Sequence, residues 1–131
     1  MVLDFTQLSL QDTSPIYLQI IRYIKIKIAA NQIANGDELP SRRMLSTILN
    51  VNPNTVQKAY KQIEQDGLLV SYAGSKSILV FDETVVTDIR HELIAEEASN
   101  FITSLKQIGI SKEEAGNLLA SMWDEEEEKH D

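Results

Sequence analysis

Asn52, Asn54, Thr55, Gln57 and Lys58 crowd into seven residues around a single proline, Pro53. Asn and Gln amides can pair bidentately with adenine, a Thr side chain can touch the thymine methyl, and Lys reaches guanine or a phosphate. Eleven residues before Asn54 comes a basic pair, Arg42 and Arg43, suited to phosphate oxygens. An ordinary turn inside a helical bundle would also contain Asn-Pro-Asn. What sets this stretch apart is that its polar groups gather where a helix begins. Other chemistries lack their residues. There is no cysteine, and only two histidines, His91 and His130, so thiolate ligands, Cys nucleophiles and a histidine metal cluster are not expected. No phosphate-cradling glycine loop or nucleophile motif is present. His91-Glu92 reads as an exposed helical pair, and the acids at 124–128 as a solvated tail rather than a cation site. Neither catalysis, nor a metal, nor a cofactor is expected.

The surrounding pattern supplies the elements that would hold those groups. Ser14-Pro15 forms a helix start, followed by Ile16, Tyr17, Ile20, Ile21, Ile24 and Ile28 on one face, with Asn35-Gly36 as the stop. A second helix runs from Ser41 to about Leu49, turning Leu45, Ile48 and Leu49 inward. A third begins with Asn52 as N-cap and Pro53 in the first helical position, where a missing N–H costs nothing. Val56, Ala59, Tyr60 and Ile63 make its apolar face, and Gly67 closes it. "LLVSYAG" and "KSILVF" are two β-prone runs hinged at Gly74, with Gly74, Ser75 and Lys76 at the tip. Three helices and then a two-stranded ribbon is the order of a winged helix-turn-helix.

Beyond Phe81 the composition changes. Residues 1–80 carry eight basic and six acidic side chains; residues 81–131 carry four and fourteen, and together they give the chain its net charge of −8. Two jobs are implied: a winged helix-turn-helix over 1–81 and a helical segment over 82–131 ending in an acidic tail that frays into solvent. Val86, Ile89, Leu93, Ile94, Ala98, Phe101, Leu105 and Ile108 keep helical spacing up to Gly109. Ser111-Lys112-Glu113-Glu114 has capping-box form, and Ala115, Leu118, Leu119, Met122 and Trp123 share one side of a last helix. An antiparallel pair of such helices needs a second copy to cover its stripe. Ile89, Leu93, Phe101, Leu105, Leu118, Leu119, Met122 and Trp123 are therefore expected to form a homodimer interface. The fold class is mainly α with a small β-hairpin. No stretch approaches the roughly 20 apolar residues of a membrane span, and the N-terminus lacks a basic n-region, so a cytoplasmic protein is expected.

Pro15-Ile16-Tyr17, "LPSRRML", "VNPNTVQKAYKQIEQDGLL" and the Gly74 wing together resemble the GntR family of bacterial transcription regulators, and the "VNPNTV-x-x-AY" form its YtrA-type branch. Motifs carry the resemblance over residues 10–80; length and helical pattern carry it over 81–131. It implies a homodimeric repressor that joins through two C-terminal helices and binds an inverted-repeat operator in double-stranded DNA, often in front of an ABC-transporter operon. Matched to the family pattern, the DNA-contacting positions are Ser41, Arg42, Arg43, Asn52, Asn54, Thr55, Lys58 and Gly74. Gln57, Ser75 and Lys76 join them on their chemistry. Two departures stand out. The "PGDRLPS" of many relatives is replaced by Asn35-Gly36-Asp37-Glu38-Leu39-Pro40-Ser41, where the extra acid weakens phosphate affinity. Arg42 occupies a position that is often uncharged or acidic. The segment after residue 81 is too short for the effector domain of larger members, so no small-molecule effector is assigned. The competing class is a winged-helix protein–protein adaptor without DNA readout, which would expose apolar rather than polar residues on the third helix.

Overall fold

Helix α1, Ile16–Ala29, lays Ile20, Ile24 and Ile28 into the core, each fully buried and each worth roughly 1.5–3 kcal/mol. The computed structural model describes residues 1–74 and 76–130, with side chains described as far as residue 126. After α1 come β1 (Glu38–Leu39), α2 (Arg42–Leu49), α3 (Pro53–Gln65), β2 (Leu69–Tyr72), β3 (Lys76–Leu79), α4 (Glu83–Ile108) and α5 (Lys112–His130). Helix α3 is the centre of the first unit. It packs against α1, α2 and β2, and buries Val56, Ala59, Tyr60 and Ile63, the face its spacing predicts. Gly67, at φ 81°, ends it with paired bonds from Gly67 N to Glu64 O and Leu68 N to Ile63 O, both 3.0 Å.

The wing is a three-stranded antiparallel sheet in the order β1-β3-β2, with Leu69 opposite Leu79, Tyr72 opposite Lys76 and Glu38 opposite Ile78. The expected ribbon is there; the third strand is an addition. The lead-in also belongs to the core. Leu3 and Phe5 are buried, Leu3 N donates to Glu38 O at 2.8 Å, and Phe5 stacks at 5.1 Å on Tyr23.

Three local expectations need correction. Pro15, not Ser14, is the N-cap of α1, and no side chain caps that end. Helix α1 stops at Ala29, with Asn31 in the left-handed region at φ 57°. Asn35-Gly36 instead turns the chain into β1: Asn35 Oδ1 accepts from Phe81 N and Gly36 N donates to Leu79 O, both at 2.8 Å. Ile48 is 41% exposed, because it lines a shallow groove with Leu8 and Leu10 that the lead-in covers only in part.

The chain divides into one compact unit over Met1–His91 and another from Glu92 onward. Asp82 Oδ1 caps α4 by accepting from Val85 N at 3.0 Å, and Ser111 Oγ caps α5 by accepting from Glu114 N at 3.1 Å. Ile89 is buried within the single chain, and Arg90 reaches Ala29 O at 3.5 Å. Ile89 therefore belongs to the chain's own core and is not free to meet a second copy. Beyond it no described side chain of α4 or α5 is buried: Leu93 and Leu105 are half-buried, while Phe101, Leu118, Leu119, Met122 and Trp123 are exposed. The two helices thus leave their apolar stripes uncovered within the single chain, as the sequence reading expects of a pair that cannot cover its own stripe. Helix α5 runs to His130, through the acidic stretch expected to fray, because Glu and Lys are good helix formers. No described helix is long and apolar enough to cross a membrane.

Candidate nucleic-acid interface

Ser41 starts the site. Its Oγ accepts from Met44 N at 3.1 Å, which caps α2 and commits the hydroxyl to its own backbone. Arg42 and Arg43 follow in the first turn, where the helix dipole disfavours cations. Arg42 finds compensation within the chain. Its Nε donates to Gln57 Oε1, an Nη lies 3.5 Å from Ser71 Oγ, and the guanidinium sits 5.1 Å from the Tyr60 ring. Ser71 Oγ in turn donates to Glu64 Oε2 at 2.6 Å. Arg43 is exposed, and its side chain has no hydrogen bond or ion pair among the described residues.

Between α2 and α3 the chain turns through Asn50, in the left-handed region at φ 55° and ψ 51°, which Asn tolerates better than most residues. Asn52 Oδ1 then accepts from Asn54 N at 2.8 Å, and Pro53 takes the first helical position, the start expected from the sequence. With its oxygen engaged in the cap, Asn52 keeps its amide nitrogen free of hydrogen bonds among the described residues. Asn54 is exposed with no side-chain hydrogen bond among the described residues. Thr55 is half-buried and borders a shallow pocket with Pro15, Ile16, Tyr17 and Lys58. Lys58 Nζ lies 4.1 Å from the centroid of the Tyr17 ring, a cation–π contact that steers it toward the start of α1. After Pro53, the exposed positions on the first two turns of α3, Asn54, Gln57 and Lys58, are therefore polar, not apolar.

On the wing, Gly74 takes φ 83°, the turn conformation its sequence position demands. Ser75, named with the wing tip, lies outside the described residues. Lys76 Nζ pairs with Glu38 Oε1 at 3.3 Å, so the additional acid of the loop neutralises a wing lysine. Beneath this surface the Tyr60 hydroxyl donates to Pro40 O at 2.6 Å. Burial pushes that phenol well above its ordinary pKa, and Arg42 offsets only part of the shift. Reading positions one at a time could not find Tyr17, Glu38, Glu64 or Ser71, whose roles depend on partners in other elements. Two of them carried a signal: Tyr17 as part of the Pro15-Ile16-Tyr17 motif, and Glu38 as the extra acid of its loop. Among the described residues no group of three or more His, Cys, Asp or Glu could hold a metal.

The profile of the bacterial regulatory proteins of the gntR family matches residues 16–77, from the first turn of α1 into β3. The HTH-type transcriptional repressor YtrA of Bacillus subtilis is 32% identical over 108 residues, covering 82% of this chain and 83% of that protein. YhcF of the same organism, described as an uncharacterized HTH-type transcriptional regulator, is 32% identical over 104 residues, covering 79% and 86%. A solved GntR family transcriptional regulator from Listeria monocytogenes superposes with a TM-score of 0.76 at 31% identity, over 86% of this chain and 98% of that one. On this agreement of motif, length and fold, the chain belongs to the GntR family of bacterial regulatory proteins, in its YtrA-type branch.

Proposed function

We propose that the protein is a homodimeric, sequence-specific DNA-binding transcription regulator, a repressor that reads an inverted-repeat operator with one half-site per subunit. The carrying observation is the start of α3: Asn54 and Lys58 exposed, Asn52 and Pro53 fixing the helix end, and Arg43 unpaired nearby among the described residues. A helix end of this kind presents the positive end of its dipole to phosphates while its first side chains face base edges. Ser41 and Asn52 act here through their caps, and Gly74 and Lys76 sit on the wing for the adjacent backbone. The exposed Phe101, Leu118, Leu119, Met122 and Trp123 supply an apolar surface for a second copy. Repression is supported by the likeness to YtrA, itself described as a repressor. A duplex operator places this work in the cytoplasm, and control of a transporter operon remains the expectation of the resemblance.

Selection of bound duplexes from a random pool tests the proposal. A two-fold symmetric site should emerge, with half-site centres about 10 base pairs apart or a multiple, and its affinity should fall steeply with salt. No enriched sequence, together with salt-insensitive association with a protein, would leave the adaptor class standing instead.

A further inference from the structure

Residue type alone assigns Gln57 to adenine, through an amide oxygen that accepts from N6 and an amide nitrogen that donates to N7. The structure removes half of that pair. Arginine carries five donors and no acceptor, so the atom of Gln57 that faces Arg42 Nε must be Oε1. A hydrogen bond from a charged donor is about twice as strong as a neutral one, so adenine N6 is a poor competitor for that oxygen. What remains for a ligand is Nε2, which has no partner among the described residues, together with the guanidinium beside it. The guanidinium is itself held in place. Ser71 Oγ, 3.5 Å away, is anchored to Glu64, and the Tyr60 ring below is fully buried and tied to Pro40. The pair therefore presents donors and positive charge, with its amide oxygen already engaged by a charged donor.

We infer that Arg42 and Gln57 act as one donor unit that reads the N7 and O6 acceptors of guanine, with Arg42 positioning the Gln57 amide. This rests on the DNA-binding reading above and fixes which base the second turn of α3 selects. The amino groups of adenine and cytosine meet donors there and are disfavoured.

Selection from random duplexes with the full chain and three variants tests it. The unaltered protein should enrich guanine at one position of each half-site by roughly tenfold over adenine. Arg42→Met frees Oε1 and should move that position toward adenine. Gln57→Leu should flatten the same position and leave the others alone. Gln57→Glu keeps the Arg42 partner but removes the donors, and should abolish the guanine preference. An adenine preference in the unaltered protein, or the same base profile with Arg42→Met, overturns the inference while leaving sequence-specific binding intact. Should Arg42→Met fail to fold by circular dichroism, the two Gln57 variants decide the matter. Enrichment of no duplex by the unaltered chain overturns the DNA-binding reading itself, and this inference with it.

Discussion

Asn54 and Arg43 are two exposed interface side chains with no hydrogen bond or ion pair of their own among the described residues, and they should fail in different ways when removed. Asn54→Ala should cost about 1–3 kcal/mol of discrimination against random duplex while changing non-specific affinity little, measured by titration against both DNAs. An equal loss on both would assign Asn54 to the backbone. Arg43→Ala should weaken binding to every sequence alike and reduce the slope of log affinity against log salt by about one. Asp37 offers a check on the fold itself. Ala34 N donates to its Oδ2 at 2.8 Å and the Met1 amine lies 3.2 Å from Oδ1, and together these hold its carboxyl below the ordinary aspartate value. A carboxyl with a depressed folded-state pKa stabilises fully above its unfolded value and loses that contribution as pH falls through the folded one. Melting temperatures followed from pH 6 down to pH 2 should therefore fall less steeply in Asp37→Asn than in the unaltered protein.

Helix ends decide how the elements fit, and Gly67 is the clearest of them. Its φ of 81° lets α3 end and β2 begin two residues later; Gly67→Ala should cost about 1 kcal/mol in thermal or urea unfolding without altering base preference. Such ends were legible because their chemistry is local: Asn52-Pro53 starts a helix and Gly67 stops one, whatever surrounds them. The apolar face of α3 was legible for the same reason, since Val56, Ala59, Tyr60 and Ile63 repeat with the helical period. Strand β1 was not, because two residues carry no periodicity, and its existence depends on β3 arriving forty residues later. Leu3 and Phe5 went unplaced because the lead-in has too few residues to show a pattern. In the interface, residue types could be read but their engagement could not. Arg42, Gln57 and Ser71 come from three elements, and nothing local to any of them reveals the bond between them.

For the whole molecule, a partner copy is the proposed cover for the apolar surfaces of α4 and α5. Leu119→Glu in the full chain should reduce the sedimenting mass to the 14.8 kDa of one chain and lower operator affinity roughly a hundredfold, with far-UV circular dichroism of the first unit retained. A mass still that of a dimer in both Leu119→Glu and Phe101→Glu would remove these helices from the subunit contact. A truncation that isolates the DNA-binding unit should end after His91 rather than at residue 81, because Ile89 is buried and Arg90 reaches Ala29. The seam that joins Leu3 to Glu38, and Glu38 to Ile78, also sets an order of events during synthesis. Leu3 and Phe5 leave the ribosome before the wing, yet the strand they bind has no neighbour until β3 has emerged. Until then Leu3 and Phe5 stay wet, so a stalled nascent chain lacking residues 76–79 should be cut by protease near its own beginning, and one that includes them should resist.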